Sequence, residues 1–266
     1  ESYYAKQLEC LCSQVRPGDR EAMEASKRHW NKIAKPLDGL GRMEDLLVKI
    51  AGVVRSEKLC LERKAVVVFC ADNGVVAEGV TQTGSEVTAV VTENIARGIA
   101  SVNRMASVAG ADVIPIDVGV KGRLQETGIR NCRIADGTAN LLHEPAMTME
   151  QTLEAIHTGI ALAGELKDSG YDLLAVGEMG IGNTTTSSAI ASVMLEQPPE
   201  AVTGRGAGLS GEGLERKIQV IQKAIVLHGP DREKPLEVLS ALGGLDIAAM
   251  TGFLLGGAIY LSLIHI

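Results

Sequence analysis

The 266 residues lack most of the patterns that mark a common chemistry. There is no Lys/Arg run to supply a phosphate-neutralising patch, and 26 basic against 33 acidic residues give a net charge of -7, which argues against a nucleic-acid partner. The cysteines, Cys10, Cys12, Cys60, Cys70 and Cys132, are odd in number, scattered and without CxxC spacing. That pattern excludes a disulfide framework and a structural zinc site, and it fits a reducing cytoplasm. His29, His143, His157, His228 and His265 show no metal-binding spacing, and no serine sits in a GxSxG elbow, so neither a metal nor histidine-driven catalysis is expected. Residues Glu1 to Trp30 mix charges throughout, with no apolar core behind a basic start. They read as amphipathic helices and not as a signal peptide.

One stretch is poor in charge. Ile247 to Ile266 is twenty residues without an acid, Lys or Arg, long enough on paper to span a bilayer. It carries Gly252, Gly256 and Gly257, follows Asp246 directly and has no basic flank, so a buried helix running into an apolar strand is the expectation and a membrane span the minor alternative.

What the chain does have is 45% hydrophobic residues, enough for one substantial domain or one large and one small. Three apolar runs, Ala65 to Cys70, Val113 to Ile116 and Leu173 to Val176, read as strands buried on both faces of a parallel sheet. Pro115 lacks the ladder donor and places the second run near an edge or bulge. Helix-period stretches lie between the runs: Glu86 to Ala109, and Met149 to Ser169, with Thr148 and Gln151 as a capping box and Gly170 as the stop. A further helix runs from about Gly211 to His228 and stops at Gly229-Pro230. The alternation predicts an α/β fold.

In open parallel sheets, ligands bind beyond the carboxyl ends of the strands. Those ends read ADNG, IDVG and GEMGIGNTT, so Asp72, Asp117 and Glu178 are candidates to converge on one cleft. In the third segment Gly177, Gly180 and Gly182 allow close backbone approach, and Asn183, Thr184 and Thr185 offer polar groups at a helix start, as a phosphate cradle requires. The G-x-x-G-x-G spacing matches neither the dinucleotide fingerprint nor the GxxxxGK[ST] loop, so a bare glycine-rich turn is an equal reading. Gly137 and Thr138 in one loop, and Gly204, Arg205 and Gly206 in another, could complete an anion site with Lys217 from the following helix. Each has a plainer reading: an acid after a strand often caps a helix, and Lys217 could be a solvated surface lysine.

Several segments together resemble one family. KPLDGLGRMEDL (Lys35 to Leu46), ADNGVVAEGVTQTGSEVT (Ala71 to Thr88), GTANLLHEPAMT (Gly137 to Thr148), GEMGIGNTTTSSAI (Gly177 to Ile190), GRGAGLSGEGLERKI (Gly204 to Ile218) and ALGGLDIAAMTGFLLGGA (Ala241 to Ala258) look, in that order, like the nicotinate-nucleotide:dimethylbenzimidazole phosphoribosyltransferases of cobamide biosynthesis. The resemblance implies a Rossmann-like parallel sheet flanked by helices with a small helical domain contributed by the chain ends. Residues 1–50 would belong to the small domain, 51–258 to the α/β domain, and 259–266 to a tail that departs from the pattern. It also implies a cytoplasmic homodimer that transfers phosphoribose from nicotinate mononucleotide to dimethylbenzimidazole, without metal or organic cofactor, giving nicotinate and α-ribazole 5′-phosphate.

Residue by residue, Glu178 matches an assisting active-site glutamate and Lys217 a lysine at the donor site. Gly180, Gly182, Asn183, Thr184, Gly204 and Gly206 match the phosphate and nicotinate loops, and Thr81, Gln82 and Glu86 lie where the acceptor base is held. The family's C-terminal general-base glutamate has no match after Ala258, where the sequence reads IYLSLIHI, so poor turnover, or a non-catalytic nucleotide-binding protein, is the expectation for these 266 residues. A chain ending there is expected to leave Leu254 and Leu255 exposed. With 2 Phe, 1 Trp and 4 Tyr, the slot for a flat base is expected to be walled by aliphatic and methionine side chains, Met179 being a candidate with a core role as its plainer reading. A dinucleotide-dependent enzyme with an atypical glycine loop is the remaining alternative, disfavoured by the absence of GxGxxG after any strand.

Overall fold

The computed structural model describes residues 3–260 and the backbone of residues 263–265. Helices α1 (Tyr3–Cys12), α2 (Arg20–Lys32) and α3 (Arg42–Val54) precede strand β1 (Lys64–Ala71), followed by a 3-10 turn over Gly74–Glu78. Next come α4 (Glu86–Ala96), α5 (Ser101–Ala109), β2 (Ala111–Gly119), a short β3 (Arg130–Asn131) and α6 (Met149–Asp168). β4 (Leu173–Met179), α7 (Asn183–Met194), α8 (Pro199–Val202), α9 (Gly211–His228), α10 (Pro235–Leu242), α11 (Leu245–Tyr260) and β5 (Leu263–His265) complete the order.

All strand pairs are parallel and the sheet order is β3-β2-β1-β4-β5. Both faces of the central strand are covered, so β1 reads as a continuous apolar run and Val67, Phe69, Cys70 and Ala71 have no solvent exposure. Pro115 lies inside β2, opposite Val68 of β1, at a level where the other edge is open because β3 pairs only at Ile116 and Asp117. A register shift between Cys70 and Ala71 marks a bulge where β1 and β2 reach the site.

The stretch Glu86 to Ala109 is two helices, not one. Gly98 at φ +77 breaks it, and the Asn103 side chain caps the second helix by accepting from Ala100 N at 3.2 Å. α6 starts at the expected capping box, Gln151 N donating to Thr148 Oγ1 at 3.1 Å and Thr148 N to Gln151 Oε1 at 2.9 Å. α9 ends at Gly229 in the left-handed conformation.

The apolar C-terminal stretch folds as α11 leading to β5, and among the described residues no helix is long and apolar enough to cross a membrane. α11 lies against α6 through glycines on both. A Cβ on Gly252 would come 1.9 Å from Ile156 O, and one on Gly159 would come 2.0 Å from Ala249 O, so the two backbones touch with no side chain between them. Leu254 and Leu255 are half-buried against the main core and not exposed, because α11 turns that face inward. α1 joins the same core through Leu8, whereas α2 and α3 pack chiefly on each other, with Asp19 N donating to Gly52 O at 2.8 Å.

Candidate active site

The chain leaves β1 toward β2 on one side, and β4 lies on the other side of β1, so the connections diverge above β1 and β4. A crevice at their carboxyl ends is the expected ligand position. Two loops shape it. After β1, Asp72 is held from behind: its carbonyl accepts from Thr138 N at 3.0 Å, and its Oδ2 accepts from Lys121 N at 2.7 Å. Gly74 N donates to Thr138 Oγ1 at 3.0 Å. After β4, Gly180 passes under the first loop, where a Cβ would sit 2.4 Å from Ala71 O. Gly182, at φ +96, then starts α7 as an N-cap without a side chain. No side-chain oxygen caps the start of that helix; Asn183 N and Thr185 N donate to Gly180 O and Gly182 O, and the positive end of the helix is left for a ligand.

Lys217 of α9 meets this helix start. It is 1% exposed, and its Nζ donates to Thr184 Oγ1 at 2.8 Å and to Gly204 O at 3.2 Å. The solvated-lysine reading is therefore wrong: Leu209, Val220 and Ile221 are buried on the same stretch, and α9 turns this face inward. Among the described residues Lys217 has no carboxylate partner, and burial pulls its ammonium below the usual lysine range. A buried cation facing a hollow with no counter-charge favours an anion there.

The hollow, about 90 Å³, is lined by Thr81, Gln82, Gly180, Gly182, Asn183, Thr184, Arg205, Gly206 and Lys217 among others. Most of the sequence-derived site residues thus meet. Its roof is closed by a contact of Gln82 Nε2 with Gly208 O, and Arg205 donates to Leu209 O at 2.7 Å within its own loop. Gly204 stands at the edge as a Lys217 partner. Besides Gly204 and Glu178, three candidates lie outside the lining. Gly137 and Thr138 prop the β1 loop from behind, and Glu86 points to Gly84 at the start of α4.

Glu178 is next to this hollow, with Asn183 Nδ2 in hydrogen-bond contact with its Oε2. Its surface is open to solvent, yet the surrounding protein strips enough water to push its carboxyl above the usual range, Asn183 and the Gly180 backbone opposing the shift. Asp117 does not join it. Asp117 Oδ1 accepts from Gly119 and Val120 N at 3.1 and 2.9 Å, and Oδ2 accepts from Arg133 Nη2 at 3.0 Å. The expected three-acid convergence therefore fails at Asp72, which is turned to Lys121 N, and at Asp117, whose turn folds back on its own strand end. A roomier hollow of about 390 Å³ beside it is no better candidate, since the Arg133 guanidinium there is consumed by Asp117, Asp136 and Gly122 O. Met179 packs with Val68, Cys70, Ile95 and Val120, its plainer reading.

Comparisons with known proteins identify the family. Residues 15–264 match a family model described as phosphoribosyltransferase. The chain belongs to this phosphoribosyltransferase family. Among its relatives, the nicotinate-nucleotide–dimethylbenzimidazole phosphoribosyltransferase of Acetivibrio thermocellus is 44% identical over 90% of this chain and 68% of that protein. The enzyme of the same name from Ruminiclostridium cellulolyticum is 42% identical over the same shares. The crystal structure of CobT from Thermus thermophilus superposes with a TM-score of 0.86 at 39% identity, over 92% of this chain and 73% of that one.

Two buried residues beside Gly180 had drawn no functional reading from the sequence: Asn73 and Asp246, both without solvent exposure. The signal was present in ADNG and GGLDIAAM, a polar residue directly beside strand-end or helix-start glycines, but an acid before an apolar helix is also an ordinary helix start.

Proposed function

We propose that this chain transfers the 5-phosphoribosyl group of nicotinate mononucleotide to dimethylbenzimidazole or a related base, giving α-ribazole 5′-phosphate and nicotinate. The observation that carries this reading is the buried Lys217, without a carboxylate partner, at the uncapped start of α7. Lys217, Thr184 and the Gly180–Gly182 turn hold an anionic group of the donor, and Arg205 and Gly206 close over it. Thr81 and Gln82 border the acceptor base. The base nitrogen attacks C1′ as the bond from C1′ to the pyridinium nitrogen breaks, which inverts C1′ and releases neutral-ring nicotinate. The acceptor's N–H proton must leave, and we assign its capture to Glu178, whose proton affinity partial desolvation raises. The names of the relatives support the substrates, and the enzyme is proposed to act in the cytoplasm as a homodimer, with α2 and α3 belonging to a smaller helical domain.

Nicotinate release from nicotinate mononucleotide, followed with and without dimethylbenzimidazole, tests the assignment of roles. Lys217→Ala should raise KM for the mononucleotide about 10- to 100-fold, the size expected for a charge-assisted contact. Glu178→Gln should act on kcat instead. Effects exchanged between the two variants would refute both roles.

A further inference from the structure

Thr88 stands in the first turn of α4, without solvent exposure and outside the lining of the hollow, yet its hydroxyl meets the turn that carries the site. Thr88 Oγ1 accepts from Ile181 N at 3.1 Å. On the other side of the same residue, Ile181 O accepts from Asn73 Nδ2 at 3.4 Å, and Asn73 is equally buried. Ile181 borders the hollow, but both of its backbone polar groups are thus bound to residues outside the lining. A trans peptide points its N–H and its C=O in opposite directions, and among the described residues no peptide is cis. Holding Ile181 N–H on Thr88 therefore aims Gly180 O the other way, where it accepts from Asn183 N at 3.1 Å at the start of α7. Holding Ile181 O on Asn73 aims Gly182 N–H away from Asn73. Among the described residues the N–H groups of Gly182 and Thr184, both lining the hollow, have no hydrogen-bond partner.

The two side chains are backed by acids. Burial raises the carboxyl groups of Asp72 and Asp246 above their usual range, and among the influences opposing that rise are hydrogen bonding from Thr88 to Asp72 and from Asn73 to Asp246. A hydroxyl whose proton is drawn to a carboxylate presents its lone pair to Ile181 N. Valine would fill the same space without that acceptor, so shape alone does not require threonine here. We propose that Thr88, with Asn73 as its counterpart, is a positioning residue for the donor: the pair clamps the Gly180–Gly182 turn before any ligand arrives, turns Ile181 N–H out of the hollow, and presents the N–H groups of Gly182 and Thr184 to the donor's anionic group beside Lys217. The proposal rests on the reading of this hollow as the place that holds that group. A glycine-rich turn left free would offer Ile181 N–H to the anion as well. The clamp removes that option, and it acts through the turn without touching the donor.

Amide NMR of the whole chain, titrated with nicotinate mononucleotide, tests this. The amide protons of Gly182 and Thr184 should move to lower field on binding, as N–H groups do when they donate to an anion, while that of Ile181 stays near its ligand-free position. An Ile181 shift as large as theirs, or no shift at Gly182 and Thr184, would overturn the proposal in the native protein alone. By calorimetry Thr88→Val should bind the mononucleotide about tenfold more weakly, the scale of one hydrogen bond's contribution, and Thr88→Ser, which restores the hydroxyl, should return close to native affinity. A merely structural Thr88 would lower the urea midpoint of Thr88→Val and leave the affinity of the folded variant unchanged, which would refute the clamp. Thr88→Ser binding as weakly as Thr88→Val would refute it too. A native chain that binds the mononucleotide and transfers nothing would defeat the transfer reading and leave each of these outcomes readable.

Discussion

At the scale of single residues, the site is made of groups that burial leaves electrostatically dissatisfied. Lys217 is the clearest, since a buried ammonium without a counter-charge costs free energy that a bound anion recovers. Replacing it with Met should raise the urea midpoint of the ligand-free protein while weakening mononucleotide binding measured by calorimetry; a lowered midpoint would make Lys217 a structural residue. Asp246 gives a second prediction. Its folded pKa of about 7 exceeds the ordinary 3.8, so its contribution is fully present below the unfolded value and is lost as pH rises through the folded one. Relative to Asp246→Asn, the native chain should therefore lose stability between about pH 4 and pH 7, by on the order of 4 kcal/mol at most, in denaturation midpoints taken across that range. A parallel pH course for the two proteins would contradict it. The sequence made the polar cradle legible, because Gly180, Gly182, Asn183 and Thr184 are contiguous. It did not make Asn73 and Asp246 legible as partners, because they lie 173 positions apart and meet only where the glycines at 180 and 244 let their loops approach.

At the scale of elements, the contact between α6 and α11 is the tightest in the fold, and it is a backbone contact. Gly252→Ala would set a methyl 1.9 Å from Ile156 O, and Gly159→Ala would set one 2.0 Å from Ala249 O, distances that no rotamer adjustment relieves. Each should destabilise by about 1–3 kcal/mol or more, read as a lowered midpoint in urea, whereas Gly177→Ala, with open space around its Cβ, should cost far less. Equal effects would show that the helices separate easily. The strands were readable because both faces of the sheet are covered, which leaves an apolar run inside each of β1, β2 and β4. The break between α4 and α5 was not, because one glycine inside a helix-period stretch does not reveal whether it is tolerated or ends the helix. β3 was invisible, since two residues, Arg130 and Asn131, carry no periodicity.

At the scale of the whole molecule, the position of the candidate site follows from topology: the strand order reverses at β1 and β4, and the loops after them, with α9 as a third wall, enclose the hollow. The hollow of about 90 Å³ is closed on one side by Gln82 against Gly208, so a mononucleotide must part these loops to enter. Ligand binding should consequently raise the melting temperature with the mononucleotide and much less with inorganic phosphate, measured by differential scanning calorimetry. Equal shifts would mean that only an anion is recognised.

Movement of the phosphoribosyl group from nicotinate mononucleotide to the base at this site can be watched in a single-turnover reaction, with protein in excess over mononucleotide labelled at C1′. By carbon NMR the label should leave the β-linked donor only when dimethylbenzimidazole is present and should reappear in an α-linked ribotide, with transfer slowed in Lys217→Ala at the same concentrations. Label that stays on the donor although calorimetry shows it bound would make the chain a nucleotide-binding protein, and release to free ribose phosphate without the base would make it a hydrolase; either result would contradict the transfer proposed for this site.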